Sequence, residues 1–62
     1  MEIITPLEEA KRMKKEFGLA NAKVEITLML VTAELNELEF FQKVENNLDI
    51  MIGMEQVDEE LK

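Results

Sequence analysis

Apolar residues in the first third of the chain recur every three or four positions, the spacing that places them on one face of an α-helix. These residues are Leu7, Ala10, Met13 and Phe17. Thr5 precedes them as an N-cap residue, Pro6 suits the first helical position, and Glu8 completes a capping box. Gly18 predicts a left-handed C-terminal cap. We therefore predict a first helix that begins at Pro6 and ends before Gly18.

The middle of the chain carries the longest apolar pattern. Its members are Val24, Leu28, Val31, Leu35 and Leu38. Because this helical spacing runs on without interruption, and Asn21 can act as an N-cap, we predict one continuous helix over residues 22–45. Residues 23–32 also alternate and are rich in β-branched residues, so a strand is the alternative for this segment. Asn46-Asn47 predicts a break, and a third helix follows it towards the C-terminus.

Two acids of the predicted central helix fall among its apolar residues. At about 100° per residue, Glu39 belongs to a narrow polar strip, whereas Glu34 and Glu37 lie on nearly the opposite side with Leu30 and Phe41. Buried carboxylates are costly unless they are paired with a base or bound to a metal. The sequence therefore predicts either a structural base beside this pair or a divalent-cation site.

Size and composition limit both the fold and the chemistry. The chain has 62 residues, of which 47% are apolar, and contains no cysteine or histidine. A chain this short has a marginal core of its own, and disulfides and ordinary zinc sites are excluded. We therefore expect one small domain over residues 1–62. It is all-α, with a two- or three-helix protomer that assembles into a helical-bundle homo-oligomer. Serine, tyrosine and tryptophan are also absent, so an enzyme of this sequence would be a carboxylate–metal enzyme.

The net charge of −7 is unevenly distributed. Residues 1–23 carry five bases against four acids, and residues 24–62 carry ten acids against two bases. An acidic body favours basic protein partners or bound cations and argues against general nucleic-acid binding. Neither a signal peptide nor a membrane-spanning segment is recognisable, so we expect a cytoplasmic protein that does not bind membranes.

Residues 30–38, with the sequence LVTAELNEL, resemble the central helix of MazG-like all-α nucleoside triphosphate pyrophosphohydrolases, and the resemblance extends over about residues 16–49. In that family an E-x-x-E pair on one helix and an E-x-x-D pair on the next hold magnesium. The resemblance implies that Glu34 and Glu37 form the first pair. The second pair has two candidates: Glu45 and Asp49, where Asn46 replaces the expected glutamate, and Glu55 and Asp58, which match the E-x-x-D pattern by letter. Mg²⁺-dependent nucleotide hydrolysis is therefore our alternative function.

Residues 13–28 also have the outline of a helix-turn-helix, with five of the seven basic residues at 11–23. The second helix offers Lys23 alone as a base, so DNA binding is the least favoured of the three functions.

The favoured function is protein–protein interaction by a small acidic adaptor, regulator or inhibitor of the kind that phages encode, with no cofactor. The predicted interface comprises Leu28, Val31, Leu35, Leu38, Phe40 and Phe41. Because the two adjacent phenylalanines point in different directions from one helix, we expect one of them to lie in a second subunit.

Overall fold

A computed structural model describes the backbone of residues 3–61 and the side chains as far as Val57. Within this range the chain forms three α-helices: α1 (Pro6–Phe17), α2 (Leu19–Thr32) and α3 (Leu35–Leu61). The predicted all-α class is confirmed, and residues 23–32 are helical rather than extended. Each helix packs against both others.

The ends of α1 lie at the predicted residues, but Gly18 combines a positive φ with an extended ψ and is not the predicted left-handed cap. The Thr5 hydroxyl oxygen accepts a hydrogen bond from the Glu8 amide at 3.2 Å, and Pro6 occupies the first turn. At the other end, Gly18 has φ 82° and ψ 154°, and its amide donates to the Lys14 carbonyl at 2.9 Å. This backbone conformation is accessible essentially to glycine alone.

Helix α2 begins at Leu19, three residues earlier than predicted. The Gly18 carbonyl accepts a hydrogen bond from the Ala22 amide at 2.8 Å, so a single residue both ends α1 and starts α2. No side chain caps α2, and Asn21 lies inside the helix. The prediction that Asn21 is the N-cap is therefore wrong, because the glycine turn reverses the chain before the asparagine is reached.

The two glycines of the chain provide a matched test of this turn. A Cβ added at either Gly18 or Gly53 meets no atom within 4 Å. We expect Gly18→Ala to reduce the free energy of unfolding by about 1–3 kcal/mol through backbone strain alone. Gly53→Ala, inside α3, should instead increase it by up to ~1 kcal/mol. Urea unfolding followed by circular dichroism measures both, and equal effects of the two substitutions would contradict the assigned turn.

The predicted continuous helix over residues 22–45 is wrong, because the chain reverses at Ala33 and Glu34. Ala33 is extended, with φ −76° and ψ 149°. The Thr32 hydroxyl turns back on the carbonyls of Leu28 and Met29 at 3.4 and 3.2 Å, which satisfies acceptors at the end of α2. Reversal allows α2 to fold back on α3, whereas a straight helix would hold their apolar faces apart.

The predicted break at Asn46-Asn47 is absent, and α3 continues through it. The Asn47 side-chain amide donates to the Lys43 carbonyl one turn earlier, at 3.0 Å. Val44 and Leu48, which lie on either side of the two asparagines along the chain, are both fully buried. Burial of this pair on one face of α3 outweighs the weak local preference of asparagine for turns.

The core lies where the three helices meet. Among residues 3–57, six side chains are buried: Ala10, Met13, Ala22, Ile26, Val44 and Leu48. Partly buried apolar residues surround them, including Leu19, Met29, Leu30 and Met51. Each helix thus contributes one narrow apolar face, and two of the six buried residues are alanines. This is a small core even for a short chain.

Side-chain pairs fix the directions of the helices. Lys23 pairs with Asp49, and the Thr27 hydroxyl lies 3.1 Å from the Glu45 carboxylate, so α2 runs antiparallel to α3. Thr5 and Pro6 line one depression together with Asn36 and Phe40 at the start of α3. Lys14, near the end of α1, pairs with Glu55 further along α3, so α1 runs parallel to α3. Helix α3 has 27 residues, or about 40 Å at 1.5 Å per residue, and it sets the 42 Å length of the molecule. None of the helices described here combines the length and the apolar character that crossing a membrane requires.

Candidate functional site

Glu34 and Glu37 are both exposed in the single chain, so the prediction that they lie buried among its apolar residues is wrong. Glu34 lies in the connection between α2 and α3, and its carbonyl accepts the first hydrogen bond of α3 from the Leu38 amide at 2.8 Å. Glu37 lies in the first turn of α3. An acid in the first turn is stabilised by the helix dipole. The position of this glutamate therefore has a structural reason that requires neither a base nor a metal.

The first candidate for the second acid pair of the MazG resemblance, Glu45 and Asp49, lies between α2 and α3. Glu45 is half-buried beside the hydroxyl of Thr27, and Asp49 accepts a hydrogen bond from the Lys23 ammonium. The hydrogen bond to Asp49, supported by the charges of Asp49 and Glu45, raises the pKa of Lys23 against a smaller opposing effect of burial. Both acids thus serve to hold α2 against α3.

Within one chain, these four carboxylates do not fit a single Mg²⁺ ion. The resemblance implies two pairs on two helices, whereas Glu37, Glu45 and Asp49 lie on the same helix. Glu37 and Glu45 are eight residues apart, or about 12 Å along the helix axis. Ligands of one magnesium ion lie about 2 Å from it. Among the residues that the structure describes, no three acids lie close enough together to hold a metal ion.

The raised pKa of Lys23 gives a prediction for alkaline pH. Pairing with Asp49 stabilises the fold fully below the pKa that Lys23 has in the unfolded chain, and this contribution is lost as the pH rises through the higher pKa of the folded state. We expect Asp49→Asn to lower the pKa of Lys23, as measured from the titration of its ¹³Cε resonance by NMR. An unchanged titration midpoint in Asp49→Asn would show that this pair does not form.

Phe40 and Phe41 both pack against the chain's own core, with ring centroids 5.8 Å apart and the planes at 71°. This edge-to-face geometry is favourable for aromatic pairs. Both rings therefore share the chain's own core, and each of them, like Leu38, is half-buried. That one ring lies in a second subunit stays a prediction.

The remaining residues of the predicted interface are prominently exposed. Leu28 is 58% exposed, Val31 81% and Leu35 85%. Val24, which the predicted interface omitted, continues the same face of α2 and is 58% exposed. We call Val24, Leu28 and Val31 the α2 outer face; Leu35 is the first residue of α3. The part of the predicted apolar spacing that lies in α2 therefore faces outward, while Ala22 and Ile26 face the core.

The α2 outer face continues into a shallow depression between α2 and α3. The depression has a volume of about 390 Å³ and is lined by Ala20, Lys23, Val24, Thr27, Leu28 and Ile52. Its lysine is engaged by Asp49, so the surface left to a partner is almost entirely apolar.

A second concave surface, the α1/α3 groove, has a volume of about 610 Å³. Helix α1 contributes Leu7, Lys11, Lys14 and Lys15, and α3 contributes Asn47, Ile50, Met51, Met54 and Glu55. Ile50 and Met54 are 60% and 64% exposed. The sequence patterns did not predict this groove. Its signal is the i, i+4 pair of lysines on α1 together with the Ile50 and Met54 spacing on α3, but only the parallel packing of the two helices brings them together.

The comparisons with known proteins give no relative: no family model, no curated protein and no solved structure matches this chain. The likeness to MazG-like enzymes thus stays a prediction from short motifs. Function has to be inferred from the surfaces of the molecule.

Proposed function

We propose that this chain is a small acidic helical protein that acts by protein–protein interaction, and that the α2 outer face is the surface through which two copies associate. It would serve as an adaptor, regulator or inhibitor rather than as an enzyme. The observation that carries the proposal is the exposure of three large apolar side chains on this one face of α2, Val24, Leu28 and Val31.

The balance of buried and exposed apolar residues supports this proposal. The six buried residues include two alanines, whereas eleven large apolar side chains of the described part of the chain are at least 41% exposed. Single exposed apolar residues are ordinary, but contiguous apolar patches mark interaction sites. On α2, the patch follows the 4, 3 spacing that packs helices against one another. A second copy would cover it and enlarge a core that is marginal alone.

The net charge of the chain should make its self-association depend on salt concentration. Each copy carries a net charge of −7, so two copies repel each other at long range. The α2 outer face itself consists of uncharged residues. Added salt should therefore screen the repulsion and strengthen self-association, which is the reverse of what an interface held by ion pairs would show.

Sedimentation velocity over a range of protein concentrations, combined with circular dichroism of the same samples, tests the proposal. We expect a concentration-dependent dimer or larger assembly that is favoured by salt. A dilute species that stays monomeric and fully folded at every salt concentration would refute self-association. Incubation with nucleotides and Mg²⁺ tests the enzymatic alternative, for which release of pyrophosphate is the required result.

A further inference from the structure

The basic residues of this acidic chain differ in whether the chain itself neutralises them. Arg12 lies between Glu9 and Glu16 and forms ion pairs with both. Lys14 and Lys23 pair with acids of α3. Lys11 and Lys15, by contrast, form no ion pair with any side chain in residues 3–57, although the chain holds 14 acids.

Lys11 and Lys15 lie one turn apart on α1 and both line the α1/α3 groove. Like charges at this spacing repel each other and weaken a helix. Beside them, the groove presents Leu7, Ile50 and Met54, which are 45%, 60% and 64% exposed. The surface therefore combines an uncovered apolar strip with two cations along one wall, and the opposite wall carries Glu55, which Lys14 already engages.

We propose that the α1/α3 groove binds an acidic amphipathic α-helix of a partner protein. This inference rests on the proposed function, and it names the chemistry of the partner. The apolar face of the partner helix lies on Leu7, Ile50 and Met54, and carboxylates one turn apart on its flank pair with Lys11 and Lys15.

The shape and charge of the groove favour a helix over a small anionic amphiphile. Its walls are two parallel helices, which form the kind of groove into which amphipathic helices dock. A fatty acid has one carboxylate, whereas Lys11 and Lys15, which pair with no acid in residues 3–57, are spaced to meet two. Small-molecule sites also bury most of their ligand, and this groove is open to solvent along its length. Met51 and Met54 provide flexible side chains that can adapt to the partner's apolar residues.

Two synthetic peptides of about five helical turns test the proposal. Both carry leucines on one face, and one has glutamates on the flanks where the other has lysines. Binding to the full chain is measured by fluorescence anisotropy at low and high salt. We expect the glutamate peptide to bind more tightly by about tenfold or more, and to lose affinity as salt increases.

A matched pair of variants locates the binding site. Lys11→Gln/Lys15→Gln removes two positive charges from the groove. Asn36→Glu/Gln42→Glu adds two negative charges at exposed positions outside it, so both variants have a net charge of −9 against −7 for the parent. We expect the first to weaken binding of the glutamate peptide by about tenfold and the second by less than about twofold.

Equal binding of the two peptides, or equal effects of the two variants, would overturn the proposal. So would saturable binding of laurate at the groove with no binding of the glutamate peptide, which would assign the groove to an anionic amphiphile. The variant Leu28→Glu/Val31→Glu, whose substitutions lie on the α2 outer face, distinguishes groove binding from self-association. Binding of the glutamate peptide to this variant is measured in the same way. Groove binding should persist in that variant even where self-association is lost.

Discussion

Leu48→Ala should unfold most of the protein under conditions in which Ile50→Ala remains folded. Leu48 is fully buried in the core, and Ile50, two residues further along the same helix, is 60% exposed. Truncation of a buried leucine costs about 2–5 kcal/mol, because apolar contacts are lost and a cavity remains. The total stability expected for a domain of this size is roughly 3–9 kcal/mol. One such substitution therefore removes a large share of it.

Thermal and urea unfolding by circular dichroism at one protein concentration measures this difference. Ile50→Ala should change the free energy of unfolding by less than about 1 kcal/mol, since most of this side chain is already in water. Similar unfolding curves for the two variants would mean that Leu48 is not a core residue and that α3 is rotated from the position described here.

Leu28→Glu/Val31→Glu should abolish self-association while leaving the helical content unchanged. Both residues lie on the α2 outer face, and neither belongs to the buried core. In an assembly that covers this face, the two carboxylates would be desolvated without partners, which is strongly unfavourable. We expect the dissociation constant to rise by about 100-fold or more, as measured by sedimentation velocity.

Net charge alone could also weaken association, so the control must match it. Asn36→Glu/Gln42→Glu gives the same net charge of −9 at polar positions. If association requires the α2 outer face, this control should still assemble. Equal dissociation of both double variants would attribute the effect to general repulsion and would remove the support for this interface.

The sequence predicted α1 well because its signals are local. Thr5, Pro6 and Gly18 each act on the backbone within one turn, and the structure reproduces the two ends that they predict. The helical state of residues 23–32 was predicted from spacing, and the backbone there is helical. Signals that lie within a few residues of the feature that they determine can be read from sequence alone.

The boundaries around α2 and α3 could not be predicted in the same way, because packing between helices decides them. The apolar spacing from Val24 to Leu38 continues through the reversal at Ala33, so it does not indicate that a helix ends there. Ile26 and Val44 reach the same core only after the chain has reversed. The supposed break at Asn46 fails for the same reason, since Val44 and Leu48 are buried together on either side of it.

The error in the boundaries explains the error in the candidate site. Glu34 and Glu37 were assigned an inward direction from a helical wheel that runs through residue 33, where the helix ends. With α3 beginning at Leu35, their positions follow from the start of a new helix. Three residues of the predicted interface, Leu28, Val31 and Leu35, are exposed in the single chain, and the interface itself stays a prediction.

The helices are joined by very short connections: Gly18 alone links α1 to α2, and Ala33 and Glu34 link α2 to α3. Such short connections cannot compensate for a change in the length of a helix. An amino acid inserted within α2 or the first half of α3 would turn every later position by about 100° around its helix axis. That rotation would carry Val44 and Leu48 away from Met13 and Ile26. The domain should therefore tolerate substitution far better than insertion or deletion, and evolutionary changes in its length should concentrate at its two ends.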